Sequence, residues 1–230
     1  MCEIVYNILI TNFTVYRCII RSNAPSNLQM QPLGCIFVYA LNCITFGTAI
    51  DPAAGSGNFL TETYISLRRL ENDALYEEHR GQMMLGGEGE YNPIQVSIGQ
   101  FYGIEINDFA VTVAKTALWI AESQMMQETE KLMQINLNFL PLKSYANIVE
   151  GNALRIDWES VVPKEKLNYI MGNPPFVGTK YQSLSQKEDI LKISPILKNL
   201  DYVTGWYKKA VDIIKDTRIE CAFVSTNSIT

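Results

Sequence analysis

The sequence predicts an α/β protein with a doubly wound, mostly parallel sheet and helices on both faces. Three stretches carry that expectation. Gly172-Asn173-Pro174-Pro175-Phe176 follows an apolar run at residues 167–171 and reads as a loop leaving the carboxyl end of a buried strand. Asp51-Pro52-Ala53-Ala54-Gly55-Ser56-Gly57 follows a second apolar segment and leads into helical spacing from Asn58. Residues 98–106 form a third strand-like run with Glu105 near its end, and Asn107 or Asp108 can cap the helix after it. Open α/β sheets bind their ligands at such carboxyl ends.

The chain has 230 residues, 47% hydrophobic and 19% charged, enough to bury a core as one domain. A net charge of −5 argues against a highly basic protein that coats nucleic acid, though not against a local basic groove. The 5 cysteines make no C-x-x-C pair, and the single histidine is His79, so no Cys/His zinc cluster is expected and no metal is assigned. The reading is a reduced, cytoplasmic protein.

Residues 1–46 form an atypical N-terminal segment, and residues 47–230 a partial catalytic domain. No charged residue occurs between Arg21 and Asp51. Residues 33–50 are long enough for a membrane span, but they run into the Asp51 loop without a polar flank. Buried strands are the better reading, and no signal peptide is recognisable. In the Asp51 loop, small residues let the backbone approach a ligand closely. Phe59, Leu60, Tyr64, Leu67 and Leu70 then recur at helical spacing, and the helix N-terminus offers free amides to an anionic group. The loop lacks Gly-Lys-Ser/Thr, so it is not a phosphate-binding Walker loop, and Leu60 replaces the third glycine of G-x-G-x-x-G. A strand-to-helix turn without ligand is the plain alternative.

Residues 71–92 read as a polar helix tail and an exposed Gly-rich loop. Glu105 stands where acidic residues meet ribose hydroxyls in nucleotide-binding sheets, or it simply faces solvent. Val111, Ala114, Leu118 and Ala121 give the following helix its apolar face, and residues 124–145 its polar tail and connection. Residues 146–150 are a short strand, after which Asn152 occupies a third carboxyl edge, where its amide suits an adenine ring. Asp157 and Trp158 read as loop residues. Two prolines stiffen the backbone beside Asn173. The Asn173 side-chain oxygen and a neighbouring carbonyl can accept from an amino group on a planar ligand stacked on Phe176; the alternative is an Asx-Pro turn with a core phenylalanine. Residues 177–192 read as a surface loop and helix start facing a substrate, residues 201–215 as a core-packed helix with a solvated lysine rim, and residues 220–225 as a last strand.

With these pieces in order, the sequence resembles the class I S-adenosylmethionine-dependent methyltransferases. More narrowly, it resembles the DNA adenine-N6 methyltransferases of restriction–modification systems, of the kind that join methyltransferase, nuclease and target recognition in one chain. Residues 51–60, Gly103-Ile104-Glu105-Ile106, Gly151-Asn152-Ala153-Leu154 and Asn173-Pro174-Pro175-Phe176 carry the likeness, which covers about residues 48–230. The resemblance implies S-adenosyl-L-methionine as cofactor. Its methionine part would lie on Asp51, Pro52, Ala53, Gly55, Gly57, Asn58 and Phe59, its ribose on Glu105 beside Ile106, and its adenine on Asn152 and Ala153. Asn173, Pro174, Pro175 and Phe176 would hold a target adenine flipped out of double-stranded DNA. A target-recognition domain or subunit would supply sequence specificity, with no membrane and no metal involved.

Departures from the family pattern are specific. Ala54 replaces a common cysteine, the first 46 residues do not match the usual lead-in, and the sheet is expected to be incomplete at its C-terminal side. No Pro-Cys dipeptide occurs, which excludes cytosine-C5 chemistry through that nucleophile. The alternatives are a protein-glutamine or RNA-guanine amino methyltransferase, and a truncated, inactive remnant that at most binds cofactor.

Overall fold

The computed structural model describes residues 4–8, 16–20, 47–78, 94–134 and 146–224. Two strands, β1 (Ile4–Ile8) and β2 (Tyr16–Ile20), make a separate antiparallel pair. The rest of residues 1–46, with most of the apolar 33–50 segment, lies outside the described residues. The main sheet has five strands: β3 (Ala49–Asp51), β4 (Phe101–Glu105), β5 (Asn147–Glu150), β6 (Tyr169–Gly172) and β7 (Glu220–Phe223). Their order is β5-β4-β3-β6-β7, and each neighbouring pair is parallel. Among the described residues, four α-helices flank them: α1 (Asn58–Glu78), α2 (Asp108–Met133), α3 (Leu184–Ile193) and α4 (Thr204–Ile214). The doubly wound α/β fold read from the sequence is the fold observed.

The pleat explains how one short strand serves two cores. Successive strand residues face opposite sides, and Ala49 packs into one buried cluster while Ile50 packs into the other. Leu60 and Tyr64 of α1 join Val111, Ala114, Leu118 and Met125 of α2 on the Ala49 side. Ile190 of α3 and Trp206, Ala210 and Ile213 of α4 cover the Ile50 side, together with Trp158 and Leu167. From β3 the chain winds outward through β4 and β5, then returns to place β6 on the other flank of β3. Parallel crossovers keep one hand, so reversing the direction of travel moves the later helices to the opposite face.

Three local readings are revised. Residues 98–106 are not one strand: Ile98–Gln100 form a 3₁₀ turn, capped reciprocally by Ser97 and Gln100, and the strand begins at Phe101. The supposed polar tail from residue 71 is packed, because Glu71, Asn72, Ala74 and Leu75 continue the buried stripe of α1. The exposed loop expected after it falls on residues outside the described set. Trp158 is a core residue, 1% exposed, whose indole N–H donates to the Ala153 carbonyl at 2.9 Å. Among the described residues, no helix is long and apolar enough to cross a membrane.

Candidate active site

The order reverses between β3 and β6, and a crevice opens at the carboxyl ends of strands flanking such a switch point. Both proline-bearing loops start there, Asp51–Gly57 from β3 and Asn173–Phe176 from β6.

Asp51 closes β3 and is fully buried. Its Oδ1 accepts from the Ala53 amide at 2.9 Å, while its Oδ2 is buried without a hydrogen-bond partner. Burial in this spot pushes the Asp51 carboxyl up from 3.8 to about 7, against the Ala53 amide, with the negative Glu105 adding to the rise. Gly172 makes room for this carboxyl. At a φ of +150°, it occupies backbone space that side chains rarely adopt, and any Cβ there would overlap the Asp51 carboxylate.

The rest of the loop is held from three sides. The Ala54 amide donates to the Ile104 carbonyl at 3.1 Å, and the Gly57 amide to the Ala54 carbonyl at 2.8 Å. Gly57, at φ +82°, packs so closely on Ala114 that an added Cβ would lie 2.9 Å from the alanine methyl. From the far side, the Trp206 indole N–H donates to the Pro52 carbonyl at 2.9 Å. Asn58 opens α1 and is exposed, and Phe59 is half-buried.

Glu105 ends β4 and bridges two loops. Its Oε2 accepts from the Gly55 amide at 2.8 Å and its Oε1 from the Asn107 amide at 2.9 Å. Each oxygen keeps a second lone pair, so the carboxylate is held in place and still has acceptor capacity. Ile106 beside it is 67% exposed, an apolar surface at the sheet edge. After β5, the Asn152 Oδ1 accepts from the Leu154 amide at 2.9 Å and its Nδ2 donates to Asp189 at 2.9 Å. Ala153 is buried behind it.

On the β6 side, Asn173 and Pro175 are exposed, Pro174 is buried and Phe176 half-buried, with no cis peptide bond among the described residues. The loop is braced just beyond Phe176. The Val177 amide donates to Asp201 Oδ1 at 3.0 Å, and the Val177 carbonyl accepts from the Tyr202 amide and from Gln182 Nε2, both at 3.0 Å.

The fold therefore brings the Asp51 loop, Glu105, Asn152 and the Asn173 loop to one edge of one sheet. Trp206, Asp201, Gln182 and Asp189, which hold these groups, went unassigned in the sequence. Trp206 offered a faint signal as an aromatic on an apolar helix face; Gln182 and Asp189 lie in the stretch read as a surface facing a substrate but are buried, and Asp201 gave no signal. Among the described residues, no group of three or more His, Cys, Asp or Glu side chains could hold a metal ion.

Comparison with known proteins agrees with this geometry. The family described as MmeI, DNA-methyltransferase domain, matches residues 40–230. The chain is 44% identical over 186 residues to DNA methyltransferase A of Bacillus subtilis (strain 168), covering 78% of this chain and 21% of that protein. Its fold is similar to that of the Type IIL restriction-modification enzyme MmeI in complex with DNA, with a TM-score of 0.76 and 40% identity. That match covers 86% of this chain and 27% of the enzyme. The chain thus spans about a fifth of the length of the curated relative and about a quarter of the solved one.

Proposed function

We propose that this chain, which belongs to the MmeI DNA-methyltransferase domain family, is the catalytic portion of a restriction–modification methyltransferase that moves a methyl group from S-adenosylmethionine to adenine N6 in DNA. The observation that carries the reading is the adjacency of β3 and β6, which sets the Asp51 loop and the Asn173 loop side by side. The catalytic domain in this reading is residues 47–230, in a cytoplasmic protein.

The site fits the cofactor on features of its own. Asp51 Oδ2 is a buried acceptor without a donor, and glycine at position 172 leaves the carboxylate the room it occupies. An amino-acid ammonium meets that need. Glu105 retains lone pairs for two hydroxyls, and Ile106 gives a flat apolar rest for a ring. When bound, the cofactor supplies a sulfonium methyl that needs no further activation.

The protein's task is then to position and polarise the acceptor. Adenine N6 is a poor nucleophile because its lone pair is delocalised into the ring. Accepting both amino hydrogens, at the Asn173 side-chain oxygen and the Pro174 carbonyl, favours a more tetrahedral nitrogen with an available lone pair. Phe176 stacks on the base, which has to leave the duplex to reach this pocket. Double-stranded DNA is the partner in this reading, by analogy with the DNA-bound MmeI enzyme, and a target-recognition domain or subunit supplies the sequence choice. No metal takes part.

The test is calorimetric titration of the purified chain with S-adenosylmethionine, followed by transfer of labelled methyl groups to DNA and identification of the product base. Saturable binding with N6-methyladenine as product is expected. Asn173→Ala should leave cofactor affinity within about twofold and cut methyl transfer by about 100-fold or more. No binding by a folded chain, or label on RNA guanine or protein glutamine instead, overturns the reading.

A further inference from the structure

Asp189 lies on α3, outside every loop assigned above, yet it is 2% exposed and gathers three donors from two segments. Its Oδ1 accepts from Arg155 Nε at 2.7 Å; its Oδ2 accepts from Asn152 Nδ2 at 2.9 Å and from the Tyr202 hydroxyl at 3.1 Å. Arg155 also reaches Ser185 Oγ at 2.8 Å with its outer nitrogen, tying the loop after β5 to the first turn of α3. A buried carboxylate of this kind is more than filler, because it dictates the orientation of its neighbours.

A carboxylate paired with a guanidinium only accepts, so it must face the amino end of the Asn152 amide. The Leu154 amide only donates, so it must face the oxygen end. Were the amide reversed, oxygen would face oxygen and N–H would face N–H, two unmet, partly buried contacts in place of two hydrogen bonds. Asn152 is thereby fixed with Oδ1 free to accept one further hydrogen bond, at the same sheet edge as Glu105. Glu105 and Glu150 are paired across β4 and β5, immediately before this loop. An acceptor in that place matches a ring amino group and repels a ring carbonyl.

Resting on the cofactor reading above, we infer that Asp189 is a positioning residue that locks the Asn152 amide oxygen-first, so that the site selects a 6-amino purine over a 6-oxo purine. It acts through Asn152, touches no reacting atom, and makes base choice a property of α3.

The experiment titrates the parent chain, Asp189→Asn, Asp189→Ser and Arg155→Gln with S-adenosylhomocysteine and with S-inosylhomocysteine, checking fold by circular dichroism. The parent should prefer the adenosyl ligand roughly tenfold or more, as sites built to accept a particular hydrogen bond do. Both Asp189 variants should lower that ratio several-fold, because only the Leu154 amide is then left to orient Asn152. Arg155→Gln, which leaves Asp189 on Asn152, should keep the ratio. A purely structural Asp189 would lower affinity for both ligands equally, so an unchanged ratio in either folded Asp189 variant overturns the inference. A parent that binds neither nucleoside overturns the cofactor reading itself, a distinguishable failure.

Discussion

Asp51 carries a proton near neutrality that the unfolded chain has already lost. Its folded carboxyl titrates at about 7 against an ordinary 3.8, mainly through burial. The native state therefore binds more protons than the unfolded state between about pH 4 and pH 7. The cost of burying this charge is absent below that window and complete above it, so stability falls as pH rises through it. Melting of the ligand-free chain should shift down from about pH 5 to pH 8, and Asp51→Asn, neutral throughout, should flatten that part of the profile. Parallel profiles for the two proteins would refute the assignment. Ligand affinity should run the other way, rising as Asp51 ionises and can receive a cation. The sequence revealed Asp51 as the end of a strand before a turn of small residues. It did not reveal Gly172, because the need for glycine there arises from a carboxylate 121 positions away in the chain.

Elements are held at the site by contacts of the same long reach. The Trp206 indole on α4 donates to the Pro52 carbonyl, 154 residues away, while its ring packs edge-on against Tyr202 at 5.3 Å. Trp206→Phe keeps most of the packing and removes the donor. It should lower stability by about 1–2 kcal/mol, the cost of leaving one buried carbonyl unpaired. Urea unfolding reads that number, and calorimetry should show cofactor affinity falling by roughly fivefold as the loop loosens, about 1 kcal/mol on the same scale. Unchanged affinity would mean that Pro52 is held well enough by β3 alone. The elements were mostly legible, since helical spacing marks α1, α2 and α4 and short apolar runs mark strands. Their edges were less so. Ile98 looks like strand text, yet the Ser97–Gln100 capping pair turns it into a 3₁₀ turn before β4. Strand order was not legible from the residues at all, because pairing β3 with β6 is a contact across more than a hundred residues.

At the scale of the whole molecule, the sheet separates two buried carboxylates with different duties. On the α1–α2 face, Glu71 pairs with Arg68 and accepts the Gln95 and Val96 amides at 2.6 and 3.1 Å. Arg68 in turn donates to Thr129 of α2 at 2.7 Å. This hub fastens the second half of α1, the approach to β4 and the C-terminal end of α2, and among the described residues it reaches no group at the carboxyl edge. On the other face, Asp189 serves the loop that bears Asn152. Glu71→Gln keeps the shape and an acceptor for the two amides but removes the carboxylate paired with the buried Arg68 cation. Such a loss costs about 3 kcal/mol or more, far beyond what the half-exposed Arg155 pair on the other face can forfeit. Urea unfolding should therefore rank Glu71→Gln as much the less stable of the two carboxylate variants. Its folded fraction should still prefer the adenosyl over the inosyl ligand as the parent does, whereas Asp189→Asn should weaken the preference while retaining more of its stability. If Glu71→Gln changed the ratio as well, the two faces would be energetically coupled through the sheet, and selection of the base could not be assigned to α3.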